Sequence, residues 1–161
     1  MSEELGGYIN SFFSSTVGFN AEGNIMSLLY GDNFVNQLVL ESDNIFSGLF
    51  YDLFEELECL IVNAKNLILP ATTLTNECYS SMFGACTNLT TAPELPATTL
   101  ANNCYIAMFG GCTSLTTAPE LPATTLADRC YESMFIGCTS LTTAPELPAT
   151  TLADNCYKYM F

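Results

Sequence analysis

A 26-residue repeat occupies the chain from residue 69 to residue 161 and constrains its fold more than any other feature. The first copy reads LPATTLTNECYSSMFGACTNLTTAPE, and further copies begin at Leu95, Leu121 and Leu147, the last extending to Phe161. No insertion or deletion separates the copies, so each position of the unit recurs at a fixed spacing. Self-similarity at a period of about 20 to 50 residues is typical of solenoids, in which every unit buries its apolar face against the next.

Each unit has the pattern of one short helix followed by one short strand. The apolar side chains that recur every fourth residue in the second full unit are Leu100, Cys104, Met108 and Cys112, with Tyr105 and Phe109 beside them. This spacing predicts one face of a helix, which Thr99 would cap and Gly110 would end. Asp128 and Asp154 would complete capping boxes in the later units. The β-prone segment 115–118 then leads into prolines, which have no N–H to donate.

The predicted fold class is therefore an α/β solenoid, a leucine-rich-repeat-like stack of short parallel strands and short helices. Residues 1–39 are expected to form a small β-rich N-terminal cap, with strands in 13–21 and 25–30; a short helix over 2–13 is an alternative for its start. The remainder, 40–161, is the predicted solenoid, with repeats 40–68, 69–94, 95–120 and 121–146 and the partial repeat 147–161.

The charge of the chain argues against two classes of partner. Its 161 residues include 17 Asp and Glu but only three Lys and Arg, a formal net charge of −14 at pH 7. Nucleic acids require several basic side chains to neutralise their phosphates, and anionic membrane surfaces attract basic segments. Because no apolar run approaches the roughly 18 residues of a spanning helix, membrane insertion is not expected either.

The two ends of the sequence bear on localisation. The segment MSEELGGYINSFF lacks the basic region and the long apolar run of a secretory signal, which leaves the cytoplasm open as a location. The sequence stops at Phe161, inside a unit, whereas a solenoid normally ends in an atypical capping unit. We therefore expect the natural protein to be longer.

The eight cysteines are expected to serve mainly as small buried apolar side chains. No C-x-x-C pair and no histidine is present, so a zinc site is not predicted. Disulfides between successive repeats remain open as an alternative. On the alignment that places Phe50 opposite Tyr79, Leu57 takes the position of Cys86, and Cys59 then lies outside the cysteine series. Similarly, the Tyr and Phe of the CYxxMF segments are expected to belong to the core.

Two sets of polar residues are the candidate ligand-binding positions. They are Thr91, Thr117 and Thr143 on the predicted strand face, and Glu94, Glu120 and Glu146 between the prolines. The threonines suit contact with a protein or a glycan, although strand ladders alone would also explain them. The glutamates would repel one another if they were stacked at the spacing of strands. They therefore form either a solvated acidic face or a weak calcium-binding strip.

Catalysis has little support in the sequence. Without histidine there is no Ser-His or Cys-His arrangement, and the carboxylates recur in every unit instead of marking one pocket. A hydrolase with two paired carboxylates is the remaining enzymatic hypothesis. We predict that the protein is not an enzyme and that it uses no cofactor and no resident metal. Arg129 and Lys158 interrupt the repeat pattern and are expected to be solvated.

The segment CYxxMFxGCTSLTTAPELPATTL resembles the BspA-like leucine-rich repeats and related 26-residue repeats of bacterial surface proteins. The specific part of the match is Met134, Phe135, Gly137, Cys138, Thr139, Ser140 and Leu141. The segment GNIMSLLYGDNF, residues 23–34, also resembles the region that precedes such arrays. The resemblance implies a repeat module at the cell surface or outside the cell, with adhesion or the binding of a host or bacterial protein or glycan as its role. The alternative is a purely structural or calcium-stabilised spacer of a larger surface protein.

Overall fold

The computed structural model describes residues 17–50 and 59–161. The regular elements in these ranges are strands β1 (Phe19–Asn20), β2 (Gly23–Asn24), β3 (Ile61–Asn63) and β4 (Leu67–Ile68), helix α1 (Ser27–Tyr30) and a 3-10 turn at Gly31–Asn33. Strand β1 pairs with β3 and strand β2 with β4, both in parallel. The two sheets therefore attach the segment that begins at β1 to the strands that precede the first full repeat.

The predicted α/β solenoid with a leucine-rich-repeat-like stack of helices and parallel strands is wrong. The described residues contain one four-residue helix and four short strands in two two-stranded sheets. Residues 69–161, all of which the structure describes, contain neither a helix nor a strand. The β-rich cap is likewise only partly formed, because α1 occupies most of the predicted strand 25–30. Much of the predicted strand 13–21 lies outside the described residues.

A run of hydrogen-bonded turns takes the place of each predicted helix. The runs are residues 76–85, 102–111, 128–137 and 154–159. Within the first run, the N–H groups of Ser80 and Met82 donate to the carbonyls three residues earlier, at 3.0 and 3.2 Å. Glu77, Ser81 and Ala85 have φ values of 55°, 50° and 57°. An α-helix contains no left-handed residues, so this backbone departs from it at every fourth position.

The spacing of the apolar side chains explains why turns form instead of a helix. A helix turns about 100° per residue, so residues eight apart would lie about 80° from each other around its axis. In the structure, Cys78 and Met82 of the turn run and Cys86 directly after it are instead all buried, with no exposed surface. A strict period of four residues matches the turns better than the helical period of about 3.6 residues.

Hydrogen bonds between backbones join successive copies of the unit. Every second N–H group of a turn run donates to the next copy, and we call these N–H groups a donor row. In the first row, Tyr79, Ser81 and Phe83 donate to carbonyls of the next copy at distances of 2.8 to 3.0 Å. The same bonds link 103–111 to 128–136 and 129–135 to 154–160. Between these donors, N–H groups such as those of Ser80, Met82 and Gly84 bond to carbonyls of their own run. The turns thereby satisfy polar backbone groups that would otherwise be buried without partners.

Two columns of aromatic rings fill the core beneath the donor rows. The tyrosine column is Phe46, Tyr79, Tyr105, Tyr131 and Tyr157, and the phenylalanine column is Phe50, Phe83, Phe109, Phe135 and Phe161. Neighbouring ring centroids lie 5.2 to 5.8 Å apart with interplanar angles of at most 19°. The expectation that these rings belong to the core is confirmed, since Tyr105 and Phe109 are buried. Such pairs contribute about 0.5–1.5 kcal/mol each beyond the burial of their area.

The columns correct the predicted alignment of the first, degenerate repeat. Phe50 stacks on Phe83, and Phe46 stacks on Tyr79, so the sequence alignment of Phe50 with Tyr79 is shifted by four residues. The separation of Phe46 from Phe50 equals that of Tyr79 from Phe83, which allows both rings to join their columns. The prediction that Cys59 stands apart from the other cysteines is also wrong, because it forms a disulfide with Cys86.

Candidate functional site

The six candidate binding residues, which we call the Thr-Glu surface, lie on extended segments and bends outside any sheet. They are Thr91, Thr117, Thr143, Glu94, Glu120 and Glu146. All are exposed except Thr91, which is half-buried and forms an isolated parallel bridge with Asn63. The expected strand face is therefore wrong as a location for these residues. Most threonines that do pair between copies belong to the LPATT segment, as in the bridge from Thr73 to Thr99.

The threonine hydroxyls at this surface differ in whether they form hydrogen bonds within the protein. The hydroxyl of Thr90 donates to the carbonyl of Val62 at 2.9 Å and lies 3.5 Å from the hydroxyl of Thr91. By contrast, the side chains of Thr117 and Thr143 have no hydrogen-bond partner within the part of the chain that the structure describes. Two hydroxyls in successive copies are thus accessible to another molecule.

Two open clefts border this surface. One, of about 380 Å³, is lined by residues that include Lys65, Leu67, Pro70, Glu94 and Pro96. It brings a cation and a carboxylate to the walls of the same depression.

The second cleft, of about 300 Å³, lies at the other end of the repeats. Its lining includes Phe135, Cys138, Leu141, Thr143 and Phe161. Thr143 therefore shares the wall of this cleft with apolar side chains.

Metal ligands do not converge in the described part of the chain. Residues 17–50 and 59–161 contain no group of three His, Cys, Asp or Glu side chains that could hold a metal ion. The glutamates of the Thr-Glu surface are therefore not brought together as a coordination site.

A row of amide and carboxylate side chains, here called the amide row, was not recognised from the sequence. It consists of Asp43, Asn76, Asn102, Asp128 and Asp154. The side chain of each of the first four accepts a hydrogen bond from the backbone N–H of the next member, at 3.0 to 3.2 Å. The predicted capping-box role of Asp128 and Asp154 is therefore wrong. The recurrence of Asn or Asp at one position of every unit was the available signal.

The cysteines outside the disulfide are buried thiols of low reactivity. Burial raises the pKa of Cys78 to about 12 and the pKa values of Cys130 and Cys138 to about 11. The thiols of Cys112 and Cys138 each donate to a carbonyl of the preceding copy at 3.1 Å. Since the thiolate is the nucleophile, these groups are poorly suited to covalent chemistry.

Arg129 and Lys158 were expected to be solvated, and both are exposed, but each also forms an ion pair. Both contact the carboxylate of Glu132, with nitrogen-to-oxygen distances of 3.4 Å in each case. The ammonium of Lys158 also lies 5.0 Å from the centre of the Tyr159 ring. Because the cations of both pairs are exposed to solvent, each pair contributes about 1 kcal/mol or less. The three charges are thus mainly committed to one another.

Comparisons with known proteins identify no relative. No protein-family model, no curated protein and no solved structure matches the chain. Of the helices in the described residues, none is long and apolar enough to cross a membrane.

Proposed function

We propose that this chain is a non-catalytic, surface-displayed binding module that contacts a protein or a glycan through the Thr-Glu surface. The observation that carries the proposal is the exposure of Thr117, Glu120, Thr143 and Glu146 at equivalent positions of successive copies. A repeated exposed surface suits recognition of an extended or repetitive partner. The cell-surface location rests on the resemblance of residues 23–161 to bacterial surface repeats.

The chemistry of these side chains supports such a partner. Thr117 and Thr143 can both donate and accept hydrogen bonds, which suits sugar hydroxyls and peptide groups. Glu120 and Glu146 accept hydrogen bonds only and attract basic side chains. The buried residues of the same units are committed to the core, so ligand contacts would leave the packing unchanged.

The test is a binding screen followed by paired substitution. The full chain would be screened against glycan and protein arrays, and the Thr117→Ala, Thr143→Ala double variant would be compared with it. We expect at least tenfold weaker binding to any ligand found, because both accessible hydroxyls are lost, with the melting temperature unchanged within about 2 °C. The matched control is Thr98→Ala, Thr124→Ala, which removes two exposed hydroxyls from the LPATT segments. Equal binding by the two double variants would contradict the proposal.

A structural spacer is the second candidate function. It is favoured by the two ring columns, which continue through every described copy from Phe46 to Tyr157 and from Phe50 to Phe161. A spacer needs a continuous core and no ligand. An array screen without any bound ligand, combined with a cooperative melt of the full chain, would favour this role over the binding module.

A further inference from the structure

One turn interrupts the repeat pattern beside the Thr-Glu surface. Parallel bridges join Asn63 to Thr91 and Thr73 to Thr99. Between these two bridges the chain advances ten residues in the earlier copy and eight in the next, so the earlier copy contains two additional residues. The segment between β3 and β4 accommodates them with a turn at residues 65–66, which the next copy does not have.

Hydrogen bonds on both sides hold this turn in place. The N–H of Lys65 donates to the side-chain oxygen of Asn63 at 2.8 Å. The N–H of Leu67 donates to the carbonyl of Ala64 at 2.9 Å, and the carbonyl of Asn66 accepts from an N–H of β2 at 3.1 Å. The backbone that carries the Lys65 side chain is therefore fixed to the neighbouring strands.

The turn places an unpaired cation beside an unpaired carboxylate. Across residues 17–50 and 59–161, Lys65 is the one cation without an ion pair, because Arg129 and Lys158 both contact Glu132. Lys65 lines the cleft of about 380 Å³ together with Glu94, which likewise has no ion pair in those ranges. On a chain with a formal net charge of −14, this cation distinguishes the cleft from the rest of the Thr-Glu surface. A ligand that carries both charges would complement both side chains.

Apolar groups form much of the remaining wall. Among the lining residues are Pro70, Pro96 and Ile68, and the side chain of Ile68 is 52% exposed. Clefts of about 300 to 1,000 Å³ that combine apolar walls with a few polar groups are typical of sites for small molecules. The lining therefore favours a ligand that has an apolar group in addition to its two charges.

We infer that this cleft binds a small zwitterion with an apolar group, which is the chemistry of a free amino acid or a short peptide. The carboxylate of the ligand pairs with the ammonium of Lys65, and the ammonium of the ligand pairs with Glu94. The apolar group packs against Pro70 and Pro96. The inference rests on the proposed function, because Glu94 belongs to the Thr-Glu surface, and it makes the partner at this cleft a peptide-like molecule instead of a glycan.

The test is a titration of the isotopically labelled full chain, followed by NMR at neutral pH. Phenylalanine is the probe, and it should shift the amide signals of Lys65 and Glu94 with a dissociation constant in the millimolar range. N-acetylphenylalanine lacks the ammonium and phenylalaninamide lacks the carboxylate, so each should bind about fivefold more weakly. The dipeptide phenylalanylphenylalanine separates the two sources: tighter binding than that of phenylalanine identifies a peptide ligand, and weaker binding identifies a free amino acid.

Substitutions assign the binding to the cleft. Lys65→Gln and Glu94→Gln should each weaken phenylalanine binding about fivefold, because each removes one ion pair with the ligand. The matched control is Glu120→Gln, which neutralises the equivalent glutamate of the next copy and should leave binding unchanged. An unshifted spectrum, equal weakening by Glu94→Gln and Glu120→Gln, or equal binding of phenylalanine and its N-acetyl derivative would overturn the inference.

A further comparison separates this inference from the proposed function. The Thr117→Ala, Thr143→Ala double variant should bind phenylalanine as the unsubstituted chain does, because neither threonine lines the cleft. If phenylalanine does not bind while a ligand from the arrays depends on the two threonines, the inference fails and the proposed function stands. If phenylalanine binds while array binding is the same in both double variants, the cleft is a site and the wider Thr-Glu surface is not.

Discussion

At the scale of single residues, the left-handed backbone conformation occurs at the same few positions of each unit. Left-handed φ values recur at Glu77, Asn103, Arg129 and Asn155, at Ser81, Ala107, Ser133 and Tyr159, and at Ala85, Gly111 and Gly137. This conformation costs a non-glycine L-residue about 1–2 kcal/mol. Of these three sets of equivalent positions, only the last contains glycine, at Gly111 and Gly137. The first copy has Ala85 at the equivalent position, so the sequence is not optimal for its fold at this residue.

Replacement of that alanine should stabilise the protein. Because Ala85 has a φ of 57°, Ala85→Gly should raise the free energy of unfolding by about 1 kcal/mol, since glycine adopts positive φ without steric strain. Urea denaturation of the two proteins measures the difference. Ala127→Gly, at a half-buried residue without positive φ, should instead leave stability unchanged or lower it. Destabilisation by Ala85→Gly would contradict the turn geometry.

The buried thiols make stability depend on alkaline pH. The pKa values of Cys130 and Cys138 are raised from 9.0 to about 11 by burial, so the native state retains protons that the unfolded chain loses. Stability is therefore complete below pH 9 and falls as the pH rises from 9 to about 11, by at most about 1.4 kcal/mol per group and pH unit. Urea midpoints at pH 8, 9.5 and 10.5 measure this fall. The double variant Cys130→Ala, Cys138→Ala should show a shallower dependence, and an identical slope would contradict the assignment.

At the scale of elements, the repeat sequence identifies the unit but not its backbone. The unit boundaries and the buried Cys, Tyr, Met and Phe side chains follow directly from the repetition. The predicted helix was wrong because a series of turns with a left-handed residue at every fourth position also places the side chains at i, i+4 and i+8 in the core. The strand at 115–118 was wrong because hydrogen bonds between copies fall mainly on the turn runs and the LPATT segments. The candidate site was placed on exposed residues, but the strand face expected to carry it does not form.

The amide row holds the turn runs in register. Because the side chain of Asn102 accepts the Asp128 N–H at 3.2 Å, Asn102→Ala should lower the free energy of unfolding by about 1 kcal/mol. Urea denaturation again provides the measurement. Asp128→Asn is the matched control: it preserves the acceptor for Asp154 and reproduces the residue found at Asn76 and Asn102. Equal stability of Asn102→Ala and the unsubstituted chain would show that the row has no energetic role.

At the scale of the whole molecule, each copy depends on the next one for its hydrogen bonds. The donor rows and the ring columns pass through all the described copies, and the Cys59–Cys86 disulfide adds a covalent link between the first two. Burial is consequently shared between neighbours, and the Thr-Glu surface stays exposed to solvent. An architecture of this kind offers long repeated surfaces in place of an enclosed pocket, which is the basis for proposing a binding module over an enzyme.

Amide hydrogen exchange of the 161-residue chain tests most directly whether each copy depends on the next one for its hydrogen bonds. Amides at equivalent positions of successive copies should differ according to whether a further copy accepts their hydrogen bonds. We predict slow exchange at Ala107 and Ser133, which donate to Glu132 and Lys158 at 2.9 and 2.8 Å, and exchange at least a hundredfold faster at Tyr159. In an α-helix all three would bond within their own unit and be similarly protected. Similar protection at Ser133 and Tyr159 would contradict the account.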